Sequence, residues 1–239
     1  MSAEAVGTAL ADLADPERAA GMARYFQARP GGYGEGDRFL GIGVPALRKV
    51  ARERAGTTSL ADVEELLASP WHEARLTALL VLVQRFARAE DAERDRIVAL
   101  YLTHRAHVDN WDLVDASCRD LLGAWLLARD RDQDWAILDE LAASASVWDR
   151  RIAIVSTFAG IRAGRFAETL RVADLLLTDP ADLIHKAVGW MLREVGNRDA
   201  AAAQAFLAER HARMPRTMLR HAIERFSPEL RRAYLAGRI

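Results

Sequence analysis

With 239 residues, 51% of them hydrophobic and 28% charged, the chain can bury a core of its own, which excludes an intrinsically disordered polypeptide. A single cysteine, Cys118, excludes an intramolecular disulfide framework; neither a charged-then-apolar leader nor a long apolar run opens the sequence, which therefore reads as a soluble cytoplasmic monomer. The net charge of −1 argues against a polyanionic partner, yet residues 181–239 hold 11 Lys and Arg against 6 Asp and Glu, while residues 1–180 hold 22 against 28, and a local basic face is what neutralises phosphates.

Helical signals run the length of the chain. Apolar residues return every three or four positions, as in Leu76, Leu79, Leu80 and Val83 or Leu170, Ala173, Leu176 and Leu177. Pro16, Pro45, Pro70, Pro180, Pro215 and Pro228 stand where helices begin. The spacing predicts helices near 2–14, 16–28, 44–55, 60–68, 71–88, 91–106, 112–128, 132–143, 147–163, 166–177, 181–195, 199–212, 215–225 and 228–237. No segment alternates as a strand would. Consecutive pairs of roughly 35 to 40 residues have the length of HEAT-type repeats, so the expected fold is an all-α, HEAT-like helical repeat solenoid with a concave basic groove. Repeats need neighbours to bury their faces, and residues 1–239 are expected to form one domain.

Residues 30–43 break the pattern by holding six of the fifteen glycines. That density marks either a flexible connector or a main chain with positive φ angles and close neighbours. No Gly-Lys-Ser/Thr follows, so it is not a phosphate-cradling P-loop.

One position recurs along the chain, filled by Arg75, Asp115, Arg151, Lys186 and Arg220 at spacings of 40, 36, 35 and 34 residues. Each occurrence heads an apolar helical run. Stacked in register, these positions would present a column of cations interrupted by one carboxylate, which points to a bound polyanion. Asn110-Trp111-Asp112-Leu113-Val114-Asp115 is the sharpest local motif, because Trp111 and Asp115, four apart, share a helix face. Asp115 has two readings. One is an architectural ion pair with Arg151 in the next repeat, and repeat packing likewise accounts for the tryptophans. The other is chemical: a fixed anion repels phosphates but stabilises the oxocarbenium-like sugar formed when an N-glycosidic bond breaks. A purine alkylated at N3 or N7 is already cationic and departs neutral, so one carboxylate suffices without a general acid.

Other constellations are weak. His104 and His107 lack a third metal ligand, so neither metal nor other cofactor is expected. Cys118 has no activating histidine nearby in sequence, and His72, His185, His211 and His221 read as surface or groove residues.

Five stretches in order, Met22-Ala-Arg-Tyr25-Phe, Phe39-Leu-Gly-Ile with Pro45, Trp111-Asp-Leu-Val-Asp115, Trp148-Asp-Arg-Arg151 and Lys186-Ala-Val-Gly-Trp190-Met-Leu-Arg193-Glu, are similar to the AlkD-type family of bacterial DNA glycosylases. The resemblance implies removal of N3- and N7-alkylpurines from duplex DNA, with the lesion left stacked instead of extruded. It places the catalytic carboxylate on Asp115, cleft tryptophans on Trp111 and Trp190, and a supporting arginine on Arg151. It also places a DNA-contacting arginine on Arg193 and a lesion-proximal tyrosine on Tyr25. Arg48, Arg75, Lys186 and Arg220 complete the expected phosphate contacts. Residues 30–38 look like an insertion relative to the family, and Gly43-Val44 stands where polar residues would meet DNA. Two other functions fit the same scaffold: a non-catalytic binder of bent or branched DNA, and a protein-interaction scaffold.

Overall fold

The computed structural model describes residues 3–129 and 131–239, in which every regular element is helical. Among the described residues there is no strand, only an isolated parallel bridge between Arg38 and Trp71. No helix among them is long and apolar enough to cross a membrane. The helices group into two compact units, Met1–Ser117 and Cys118–Ile239.

The first unit contains α1 (Ala3–Ala11), α2 (Pro16–Tyr25), α3 (Val44–Arg54), α4 (Leu60–Leu67), α5 (His72–Phe86), α6 (Asp91–Thr103) and α7 (Trp111–Ser117), with a 3-10 turn at Arg105–His107. Their starts are encoded locally. Asp15 caps α2 by accepting the amides of Glu17 and Arg18, both at 3.1 Å, and Pro16 occupies the first turn, where no amide donor is needed. Ser59 and Asp62 form a reciprocal capping box on α4. Helix α5 is apolar on nearly every side: Leu76, Ala78, Leu79, Leu80, Val81 and Leu82 are all buried. Such a helix has no solvent face and must be surrounded, here by α3, α4, α6, α7 and α1.

The second unit holds α8 (Ala124–Arg129), α9 (Ile137–Ala142), α10 (Val147–Ser156), α11 (Phe158–Arg162), α12 (Ala167–Leu175), α13 (Asp182–Gly196), α14 (Ala200–Arg210), α15 (Arg216–Ala222) and α16 (Pro228–Leu235). Helix α13 is its centre, packed on α15, α10 and α14. At Gly189 a β-carbon would fall 2.5 Å from the Met218 carbonyl oxygen, so only glycine lets α13 and α15 approach this closely.

Two predicted helices are interrupted. The run predicted over 112–128 contains a π-helical turn at Arg119–Gly123, where the Gly123 amide donates to the Cys118 carbonyl at 2.9 Å. Gly123 also lies against α10, since a β-carbon there would sit 2.2 Å from the Ser156 carbonyl oxygen. The run predicted over 147–163 divides at Thr157, whose hydroxyl donates to the Ile154 carbonyl at 2.7 Å.

Candidate functional site

The glycine-rich stretch is a built loop and not a flexible connector. Gly31, Gly36 and Gly41 have φ of 73°, 85° and 85°. At Gly41 a β-carbon would lie 2.0 Å from the Asp15 carbonyl oxygen, and at Gly34 one would lie 2.4 Å from that of Phe26. The wholly buried carboxylate of Glu73 on α5 then accepts the amides of Leu40, Gly41 and Ile42 at 2.9, 2.8 and 3.1 Å. A buried anion is tolerated only when its oxygens are bonded, and three convergent amides provide that.

Next to Glu73, His72 ties three segments together. Its Nδ1 lies 2.7 Å from Asp37 of the loop and its Nε2 lies 2.8 Å from Asp112 of α7. Burial disfavours the imidazolium, but hydrogen bonds to Asp112 and Asp37, with their negative charges, outweigh it and push the His72 pKa up to about 9. Asp37 also accepts from Arg75 Nη2 at 2.8 Å. Burial raises the Asp37 pKa, yet the bonds and charges of His72 and Arg75 prevail and hold it below the ordinary carboxylate value. Arg75 donates as well to the Ser69 carbonyl at 3.1 Å and meets Asp109 Oδ1 at 3.2 Å, without hydrogen-bond alignment to the latter. Desolvation raises the Asp109 pKa despite that guanidinium.

This geometry corrects one expectation and qualifies another. His72 is not a surface or groove residue, being fully buried, and Arg75, only 6% exposed, turns its Nη2 to Asp37. The physical cause is the same for both: carboxylates from the glycine-rich loop and from 109–112 require buried cations.

Rings form a ladder on this charged base. Phe39 stacks on His72 at 4.7 Å, Phe26 stacks on Phe39 at 5.3 Å, and Trp111 stacks on Phe26 at 5.4 Å. Tyr25, 66% exposed, meets the edge of Trp111 at 6.0 Å. The buried Asn110 accepts the Trp111 amide at 2.9 Å through its side-chain oxygen, fixing the start of α7. Asp115 follows one turn later on α7 and is half-buried, as is Trp111. Of the expected site residues, the first unit thus brings Tyr25 and Trp111 into contact, while Arg48 is exposed on α3.

In the second unit, Arg151 is 6% exposed on α10 and donates to the Leu183 carbonyl at 2.7 Å. Trp190 is half-buried on α13, its ring tilted at 6.2 Å from Phe158. Phe158 itself lies beneath the guanidiniums of Arg119 and Arg198, at 5.8 and 5.7 Å. Arg193 pairs with Glu224, whose pKa it lowers by hydrogen bonding and charge. Lys186 pairs with Asp182 at 2.8 Å, and Arg220 is exposed on α15 without an ion pair among the described residues.

The residues that hold the first unit's site were mostly not singled out in the sequence. Asp37, Phe39, His72, Glu73 and Asp112 are separated by up to 75 residues, and no short motif unites them. One signal was present: a His-Glu pair heading a long helix with a continuous apolar run, where polar residues must be buried and therefore partnered. Among the described residues no cluster of three or more His, Cys, Asp or Glu is placed to hold a metal ion.

Comparison with known proteins agrees with this architecture. The sequence family described as DNA alkylation repair enzyme matches residues 6–226. A solved structure described as a predicted DNA alkylation repair enzyme from Enterococcus faecalis is similar, with a TM-score of 0.70 and 19% sequence identity over 90% of this chain and 97% of that one. Among curated proteins no match is found.

Proposed function

Because this chain belongs to the DNA alkylation repair enzyme family, we propose that it is a DNA N-glycosylase acting on cationic N3- and N7-alkylated purines in duplex DNA, without base flipping. In this proposal the C1′–N bond breaks with its electrons returning to the alkylated base, which leaves neutral. Water adds to C1′ and gives up a proton. Asp115 stabilises the electron-poor sugar and orients that water. The face of Trp111 attracts the same positive charge, and Trp190 and Arg151 take the tryptophan and supporting-arginine roles that the family resemblance implies. Tyr25, Arg48, Lys186, Arg193 and Arg220 hold the duplex.

The observation that carries the proposal is the placement of Asp115 one turn beyond Trp111 on α7, a helix whose start is fixed by Asn110, Asp112 and the ring ladder. Release of 7-methylguanine from methylated duplex DNA tests it. Asp115→Asn is expected to lower single-turnover release at least about 100-fold, the scale seen when preorganised electrostatic stabilisation is removed. Equal release by wild type and variant removes Asp115 from the chemistry. Salt-dependent DNA binding without any release would instead make the chain a DNA binder.

A further inference from the structure

His72 is odd for a structural residue. It is wholly buried, yet both ring nitrogens are occupied by carboxylates, and two phenyl rings flank it, Phe39 at 4.7 Å and Phe26 at 5.0 Å. A hydrophobic residue would fill the same space at lower cost, since burying a charged network is seldom the cheapest way to stabilise a core. The two partners differ in what they hold. Asp37 belongs to the glycine-rich loop, already secured through its amides by Glu73. Asp112 belongs to α7, between Trp111 and Asp115, and its other oxygen accepts the Leu113 amide at 2.9 Å. The ladder leads to the same place, because Phe26 touches both the imidazole and the Trp111 indole. One imidazole therefore reaches α7 twice, by a charged hydrogen bond to Asp112 and by stacked rings to Trp111.

We propose that His72 is a positioning residue for the glycosylase chemistry, acting through Asp112 and Phe26 to fix the direction of the Trp111 ring and of the Asp115 carboxylate. It touches neither DNA nor the reacting atoms. This rests on the glycosylase reading, in which the sugar must meet a carboxylate held within fractions of an ångström.

Two isosteric variants separate positioning from packing. In His72→Asn the amide nitrogen replaces Nδ1, keeping Asp37 and losing Asp112. In His72→Gln it replaces Nε2, keeping Asp112 and losing Asp37. Single-turnover release of 7-methylguanine, duplex affinity and thermal midpoint are measured for each, together with the Trp111 indole N–H resonance, assigned with Trp111→Phe. The expected result is that His72→Gln stays near the wild-type rate while His72→Asn falls at least about tenfold at unchanged affinity, as misplacement of a reacting group would produce. The Trp111 resonance should move or broaden in His72→Asn alone. Equal rates in the two variants, or rates that follow the thermal midpoint, with an unmoved Trp111 resonance in His72→Asn, would overturn the proposal. If wild type releases no base, the glycosylase reading fails, and the resonance still decides whether His72 orients Trp111. Should His72→Asn not fold, Asp112→Ala severs the same bond from its less buried end and is expected to reproduce the loss.

Discussion

The carboxylate of Glu73 and the amide of Gly41 meet at 2.8 Å across 32 residues of chain, and the same carboxylate takes the amides of Leu40 and Ile42. Glu73→Gln keeps the shape but turns one acceptor into a donor facing buried amides. A loss of about 2 to 4 kcal/mol is expected, combining weaker bonds with an unsatisfied donor. Urea unfolding with an unchanged slope checks it, and a midpoint indistinguishable from wild type would show that the loop is held otherwise.

The glycines of this loop are not equivalent. Gly41 has φ of 85° and a β-carbon there would overlap the Asp15 carbonyl oxygen at 2.0 Å, whereas Gly31 has φ of 73° with nothing within 4 Å. Gly31→Ala is expected to cost only about 1 kcal/mol, the conformational term, while Gly41→Ala should cost clearly more because backbone must shift. Equal thermal midpoints for the two variants would contradict the close approach.

Arg75 and Arg220 occupy matching places in the sequence period but opposite environments. Arg75→Met strips a buried cation from Asp37, and a loss of about 3 to 5 kcal/mol is expected. Arg220→Ala should leave stability within about 0.5 kcal/mol. On the proposed function, it should also flatten the salt dependence of duplex binding by nearly one counterion. Chemical denaturation and a salt titration of DNA affinity test the pair; a salt slope unchanged by Arg220→Ala would remove that residue from the interface.

Stability of the first unit should depend on pH through His72. Its folded pKa of about 9 lies above the free value of 6.5, so its contribution is complete below about pH 6.5 and is lost as pH rises through about 9. The size is roughly 3 kcal/mol. Asp37, held below its ordinary 3.8, contributes above that value and loses its contribution as pH falls through the lowered pKa. The groups facing the imidazole and its partner are Asp37, Asp112, Arg75 and Asp109. Denaturation midpoints from pH 6 to 10 should fall in wild type and stay nearly level in His72→Gln; parallel curves would assign the alkaline loss elsewhere.

Helix positions were legible because the apolar period and the proline and capping signals are local. Pro16, Ser59 and Pro228 each start a helix within one residue of its expected place. The breaks at Arg119–Gly123 and Thr157 were not legible, since each answers to contacts or hydrogen bonds that periodicity does not encode. The Trp111-to-Asp115 spacing was visible as a motif. The support beneath it was not, because Asp37, His72 and Asp112 come together only after α5 and α7 pack. The pairing of Arg75 with Asp37 was hidden for the same reason: the repeating pattern carries the charge and its period, while burial decides which carboxylate that charge meets.

The staple from Glu73 to residues 40–42 also bears on the order of folding. Three amides depend on one carboxylate more than 30 residues away, so closing that span gains nothing until α5 exists to present it. The loop is therefore expected to condense onto a preformed helix late in folding, and lesions within it should hasten unfolding far more than they slow refolding.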